Sequence, residues 1–159
     1  MSTVVNNQDH EYLSREGYEE LKKKLSLLKT KKRVEIASRL AYAKGLGDLS
    51  ENAEYQEAKE EQMINETEII KLEDLLSRAK LISHAGSEVV RIGSTVFVQK
   101  NGNTKEQFII VGREEADPVR GKISHESPLG KSFLGRKKDD RVQVLTPKGQ
   151  IEYQIVEVA

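Results

Sequence analysis

"AKGLGDLSENAEY", residues 43–55, lies between two long stretches that contain almost no Gly and no Pro. Two glycines, Gly45 and Gly47, stand beside three carboxylates at a spacing of three, Asp48, Glu51 and Glu54. Glycine permits a tight chain reversal, so the stretch predicts a turn between two helices. The acids have two readings. Asp48 can cap the second helix with Glu51 at its third position, the layout of a capping box, with the helix dipole favouring acids in the first turn. Alternatively, the acids are presented outward for use elsewhere.

The flanks predict the helices. Over 14–45, Leu21, Leu25, Leu28, Ile36, Leu40 and Ala43 recur at steps of three and four or near multiples of seven, with Lys32 interrupting. Over 50–80, Ala58, Ile69, Leu72, Leu76 and Ala79 step similarly, with Gln62 and Asn65 as polar members of the seam. Such narrow stripes suit an antiparallel coiled-coil hairpin. Charge agrees: residues 22–44 hold nine Lys or Arg and one acid, whereas 48–68 hold eight Asp or Glu and one base, Lys59. Folding one arm on the other sets opposite signs side by side. An arm from 14 to 45 extends about 48 Å, so its end presents carboxylates at a distance.

From about residue 88 the period changes. "EVVRIGSTVFVQKNGN" alternates in its second half and ends on an Asn-Gly turn signal. "EQFIIVG", "GKISHE", "RVQVLTP" and "IEYQIVEVA" read as further strands, with Pro147, Lys148 and Gly149 turning between the last two. "SPLGKSFLG", 127–135, reads as a short helix over the sheet, and "VGREEADP" as a solvated loop at a strand end. The predicted organisation is a tail over 1–11, a hairpin domain over 12–82, a linker over 83–87 within "SHAGSE", and an α+β domain over 88–159.

Composition excludes several classes. At 36% hydrophobic and 33% charged residues, the 159-residue chain is poor in core and rich in surface, as exposed helices require. The formal net charge is zero, so no bulk polyelectrolyte attraction to nucleic acid applies. Without Cys there is no disulfide, thiolate metal site or Cys nucleophile, which fits a reducing cytoplasm. No apolar run suggests a membrane span or a signal peptide. His10, His84 and His125 fall in separate elements, tail, linker and strand end, and no serine sits in a recognisable nucleophile motif. "GLGDLS" lacks the lysine of a phosphate loop. What remains is the hairpin end. Its acids suit a hard cation such as Mg²⁺, but two carboxylates alone do not fill six octahedral positions. The physical reading is a partial site, completed by a partner that already holds phosphate and metal.

Three groups of motifs then carry a resemblance over nearly the whole chain, from about Tyr12 to Val158: "YLSREGYEELKKKL", "GDLSENAEYQEAKEEQ", and "IGSTVFV", "FIIVGREEADP", "GKISHESPLGKSFLG" and "VLTPKGQIEYQIVEV" in that order. The chain resembles the bacterial Gre transcription elongation factors, and its "NAEY" and "EEADP" versions look closer to GreA than to GreB. The resemblance implies an FKBP-like fold for the α+β domain. It implies that this domain docks on RNA polymerase at the entrance of the secondary channel, with Ser127, Pro128, Leu129 and Gly130 at the contact, while the coiled coil enters the channel. It implies that Asp48 and Glu51 are the catalytic acids, sharing Mg²⁺ with the polymerase active site and orienting the attacking water, and that the polymerase then cleaves backtracked RNA. Lys44 and Lys59 lie where the family carries bases facing the nascent RNA 3′ end. The factor itself is then no enzyme and binds no cofactor alone; the same resemblance carries an expectation of DNA binding. Departures from the family pattern are Leu46 for a common His, Val34 for a frequent Pro, Glu68 for Arg, Ile64 for an aromatic residue and Asp139 for Gly. Rival readings are a channel-binding inhibitor without cleavage stimulation, a prolyl isomerase suggested by fold analogy alone, and a plain coiled-coil interaction protein.

Overall fold

The computed structural model describes residues 10–48, 51–83 and 86–159. Residues 1–9 of the expected tail over 1–11, Leu49 and Ser50, and His84 and Ala85 of the expected linker over 83–87 lie outside the described residues. In chain order the elements are β1 (Glu11–Leu13), α1 (Arg15–Leu27), a π turn (Leu28–Lys32), α2 (Arg33–Gly45), α3 (Ala53–Arg78), β2 (Ala79–Leu81), β3 (Thr95–Lys100), β4 (Thr104–Val111), β5 (Lys122–Ser124), α4 (Pro128–Phe133), β6 (Arg141–Thr146) and β7 (Gly149–Val158). The chain divides into two units: Tyr18–Arg78, and the residues up to Gly17 together with Ala79–Ala159.

Tyr18–Arg78 is the antiparallel helical hairpin. Ile36 and Ala43 on the first arm and Ala58, Asn65, Ile69 and Leu72 on α3 are buried, and Leu21, Leu25, Leu28, Leu40 and Leu76 are half-buried. The seam is therefore one side chain wide, and small residues let the arms approach near the turn, where Ala43 and Ala58 are both fully buried. Charges flank the seam on either side. Lys24 pairs with Glu68, Lys29 with Glu73, and Lys32 with Glu61. Arg33 grips Glu66 with two bonds, Nε to Oε1 at 2.7 Å and Nη2 to Oε2 at 2.6 Å. Lys32, which interrupts the apolar pattern, thus lies half-buried with its ammonium on the opposite arm. Its hydrogen bond, seconded by Arg39, holds the Glu61 carboxyl below the usual carboxylate range, and the Arg33 hydrogen bond does the same to Glu66. Glu68, a departure from the family pattern, is accounted for by Lys24.

The second unit carries the five-stranded sheet, in the order β5-β4-β3-β7-β6. The β3–β4 hairpin turns at Asn101 (φ 46°) and Gly102 (φ 77°), the positive pair that an Asn-Gly turn requires, and the β6–β7 hairpin pairs Thr146 with Gly149. β4 and β5 run parallel, with Ile109 opposite Lys122. Alternating residues of the strands meet α4 in a core of Val90, Val96, Val98, Ile110, Ile123, Phe133, Val142, Val144, Tyr153 and Ile155. Phe108, Phe133 and Tyr153 pack ring on ring, centroids 5.7–6.0 Å apart. These rings fill the core, leaving few aromatics to line a proline pocket. Burial, followed by the nearby Glu106, pushes the Tyr153 phenol above its ordinary range. Asp139, where the family frequently has Gly, sits at φ 71°, the left-handed region that Gly adopts without strain.

The same unit contains a two-stranded parallel ribbon absent from the sequence reading. β1 pairs with β2, Glu11 opposite Ala79 and Leu13 opposite Leu81, and Leu13 is fully buried. The sequence reading places Glu11 in the tail and Ala79 and Lys80 in the second helix over 50–80; three-residue strands carry no periodic signal of their own. "VGREEADP" is solvated at Arg113, Glu114, Ala116 and Pro118 but is more than a loop. It forms a 3-10 turn at Arg113–Glu115, where Arg113 pairs with buried Glu11 at 2.8 Å. Glu115 accepts both the amide (2.6 Å) and the hydroxyl of Ser14. Ser14 in turn caps α1 by accepting from the Gly17 amide at 2.9 Å. A capping box normally places Glu at the position of Gly17; here Glu115 takes that part from another segment, and a side chain on Gly17 would collide with it.

Candidate functional site

Gly47 adopts φ 122°, a conformation reserved for Gly, as the chain reverses. α2 closes with the Leu46 amide on the Ala43 carbonyl at 3.1 Å. α3 begins at Ala53, and its cap is Asn52: Oδ1 accepts the Tyr55 amide at 3.0 Å, while Nδ2 donates to the Ala43 carbonyl at 2.6 Å. One side chain therefore caps α3 and fastens it to α2. This overturns the capping box on Asp48 and Glu51 and the helix start at 50. The physical reason is the amide. A carboxylate at the cap accepts one bond but has nothing to donate to the Ala43 carbonyl, whereas Asn does both.

The three evenly spaced acids separate into two kinds. Glu54 is half-buried and accepts from Arg39, Nη2 to Oε1 at 2.9 Å; Arg39 also reaches Glu61 and, at 3.5 Å, Glu57. The hydrogen bond to Glu54 heads the causes that keep Arg39 firmly protonated. Asp48 and Glu51 are exposed, on the turn itself. Lys44, in the last turn of α2, and Lys59, on α3, are exposed as well. Leu46 is 57% exposed at the same end.

The donor set tests the implied Mg²⁺. Asp and Glu oxygens are the hard ligands that Mg²⁺ prefers. Among the described residues, however, no group of three or more His, Asp or Glu could hold a metal. The oxygens of Asp48 and Glu51 are of the kind that serve as one or two Mg²⁺ ligands.

In the sheet unit, Ser127 caps α4, accepting from Gly130 N at 3.0 Å and donating to the Ser124 carbonyl at 2.7 Å. Gly130 is buried where a Cβ would collide with the Ser124 carbonyl, and Leu129 packs on the core. Of these four candidate docking residues only Pro128 is exposed. A cavity of about 1050 Å³ is lined by Tyr12, Ser14, Lys122 and His125, among others. His125 meets the edge of Tyr12 at 5.6 Å and lies 3.3 Å from the Val111 carbonyl, occupied structurally rather than beside a nucleophile.

A tip-bearing helical hairpin joined in one chain to a sheet unit defines a class, and comparison with known proteins specifies it. The model "Transcription elongation factor, N-terminal" matches residues 11–81, and "Transcription elongation factor, GreA/GreB, C-term" matches 85–159. Transcription elongation factor GreA of Bacillus velezensis is 46% identical over 149 residues, covering 92% of this chain and 95% of that one. GreA of Bacillus subtilis is 45% identical over the same shares, and GreA of Clostridioides difficile 46%, covering 92% and 94%. Among solved structures, GreA factor homolog 1 (Gfh1) of Thermus thermophilus is 29% identical, covering 94% of this chain and 99% of that one, with a TM-score of 0.42. The chain is a transcription elongation factor by class, and it belongs to the GreA/GreB family.

Proposed function

We propose that this chain stimulates the intrinsic, Mg²⁺-dependent cleavage of backtracked RNA by RNA polymerase. The sheet unit, through the surface around Pro128, holds the factor at the secondary channel, and the hairpin enters it. At the far end, Asp48 and Glu51 supply oxygen ligands and a water acceptor beside the RNA 3′ end, with Lys44 and Lys59 facing the RNA backbone. When bound, Mg²⁺ supplies Lewis-acid stabilisation of the attacking and leaving oxygens. The chain's own part is to bring one or two negative charges to a cation that the polymerase holds incompletely, and to orient a water by hydrogen bonding. Rigid presentation matters, because small misplacements weaken such catalysis strongly.

The carrying observation is the sorting of the acids. Glu54, Glu57 and Glu61 turn to Arg39, whereas Asp48 and Glu51 are exposed on the turn and Asn52 is the residue that caps α3. The test adds the protein to a stalled, backtracked elongation complex with and without Mg²⁺. A shortened RNA with an extendable 3′ end, formed only with both factor and Mg²⁺, is expected. Binding that slows transcription without any such product would favour the inhibitor reading and overturn this one.

A further inference from the structure

The two arms of the hairpin keep different time. On α3 the inward positions are Ala58, Gln62, Asn65, Ile69, Leu72 and Leu76, alternating steps of four and three. On the first arm they are Leu21, Leu25, Leu28, Lys32, Ile36, Leu40 and Ala43, with three successive steps of four from Leu28 to Leu40. An α-helix advances about 100° per residue, so the stretch from Leu28 to Ala43 would overshoot four full turns by about 60°. Against the alternating steps of α3, the stretch carries one extra residue. The overshoot would carry Ala43 out of the seam, yet Ile36 and Ala43 are buried. The five-residue π turn at Leu28–Lys32 resolves this, because its wider hydrogen-bonded loop winds more slowly per residue and returns the arm to phase.

Facing that turn is Asn65, the buried one of the two polar members of the α3 seam. Asn65 is 4% exposed, and its Nδ2 donates to the carbonyl of Leu28, the first residue of the π turn, at 3.3 Å. Its Oδ1 is buried without a hydrogen-bond partner. An apolar residue would suit this seam better for stability, since an unsatisfied buried acceptor is costly. A polar residue in a coiled-coil seam gives up stability and fixes register. The Leu28 contact is repeated at the turn end, where Asn52 Nδ2 meets the Ala43 carbonyl. Two amides, one capping α3 and one within it, thus hold two carbonyls of the opposite arm, one at each end of the out-of-phase stretch.

We infer that Asn65 is a positioning residue: it holds the π turn at Leu28–Lys32 and thereby sets the rotational phase of α2, and with it the direction in which Asp48 and Glu51 face. The consequence for cleavage rests on the function proposed above; the consequence for register does not.

The test uses the full chain and three forms: wild type, Asn65→Leu, and Asn65→Leu with Thr30 deleted. The deletion removes that extra residue, so a plain α-helix keeps the seam in phase without the π turn. Thr30 is exposed, and its hydroxyl bonds only within its own arm, to the Ser26 carbonyl. Because the chain has no Cys, spin labels on cysteines introduced at exposed Tyr42 and Gln56 report the phase of α2 against α3. Wild type should give one distance population, Asn65→Leu a second or shifted one, and the deletion a single one again. Cleavage at saturating factor should fall about tenfold or more in Asn65→Leu, with affinity for polymerase unchanged within about twofold, and recover within about threefold on deletion. An Asn65→Leu protein with the wild-type distance alone overturns the positioning role, whatever its cleavage rate. A shifted distance with unchanged cleavage upholds the register role and counts instead against the proposed work of the tip.

Discussion

Along the shaft of the hairpin, Glu61 meets Lys32 and Arg39, Glu66 meets Arg33, Glu68 meets Lys24 and Glu73 meets Lys29. At the turn, the same chemical groups on Asp48 and Glu51 are exposed. Shaft acids zip two arms that share too narrow an apolar seam to define their pairing alone. Such ion pairs are individually weak and screened by salt, so they serve pairing and orientation more than bulk stability. At the tip, Asn52 rather than an acid caps α3 and closes the turn. Carboxylates thus divide into those drawn half-buried into inter-arm pairs and those exposed on the turn.

That division can be broken most severely at the tip. Asp48→Asn with Glu51→Gln should lower cleavage stimulation by about a hundredfold or more, a barrier change of about 2.7 kcal/mol, while thermal unfolding and polymerase affinity stay near wild type. If the double variant instead loses affinity in proportion to activity, the acids are docking contacts and the division fails.

Asn52→Ala comes next. It removes a helix cap, worth about 1–2 kcal/mol, together with the bond to the Ala43 carbonyl. The melting temperature should fall and amide exchange near the turn should accelerate. An unchanged melt would mean that the turn closes by other means.

Acid sharpens the comparison on the shaft side. Glu61 and Glu66 titrate below the ordinary carboxylate value, held there chiefly by hydrogen bonds from Lys32 and Arg33. A depressed folded pKa contributes stability that is present above the unfolded value, about 4.3, and is lost as pH falls through the folded value. Helicity melts followed downward from pH 6 should therefore weaken below about 4.3, and high salt should flatten the dependence. Smallest of all is Glu54→Gln, which leaves Arg39 with Glu57 and Glu61. It should change cleavage by no more than about threefold, roughly 0.6 kcal/mol.

Much of this architecture was legible in the sequence, for physical reasons that differ by element. The hairpin arms announced themselves by apolar spacing and opposed charge blocks, and the sheet by alternation and by Asn101–Gly102, whose positive φ values only a few residues tolerate. β1 and β2 were hidden because three residues show no period. The π turn has its trace in the three successive steps of four from Leu28 to Leu40, one residue more than the alternating seam of α3 spends on the same length. Gly17, standing where a capping box has Glu, was the trace of Glu115 arriving from a distant segment. At the tip, the acids were found by composition, but their cap was misassigned. Asp48 and Asn52 are both good caps by type, and only the geometry shows that a donor to the Ala43 carbonyl is also needed.

The most direct test of the tip's role is a Mg²⁺ titration of RNA cleavage in a backtracked polymerase complex saturated with Glu51→Gln factor. The account predicts a rate depressed by orders of magnitude at low Mg²⁺ and partly restored as Mg²⁺ rises, because the missing carboxylate is a ligand whose loss mass action can offset. A rate within about twofold of wild type at low Mg²⁺, about 0.4 kcal/mol in the barrier, would contradict it.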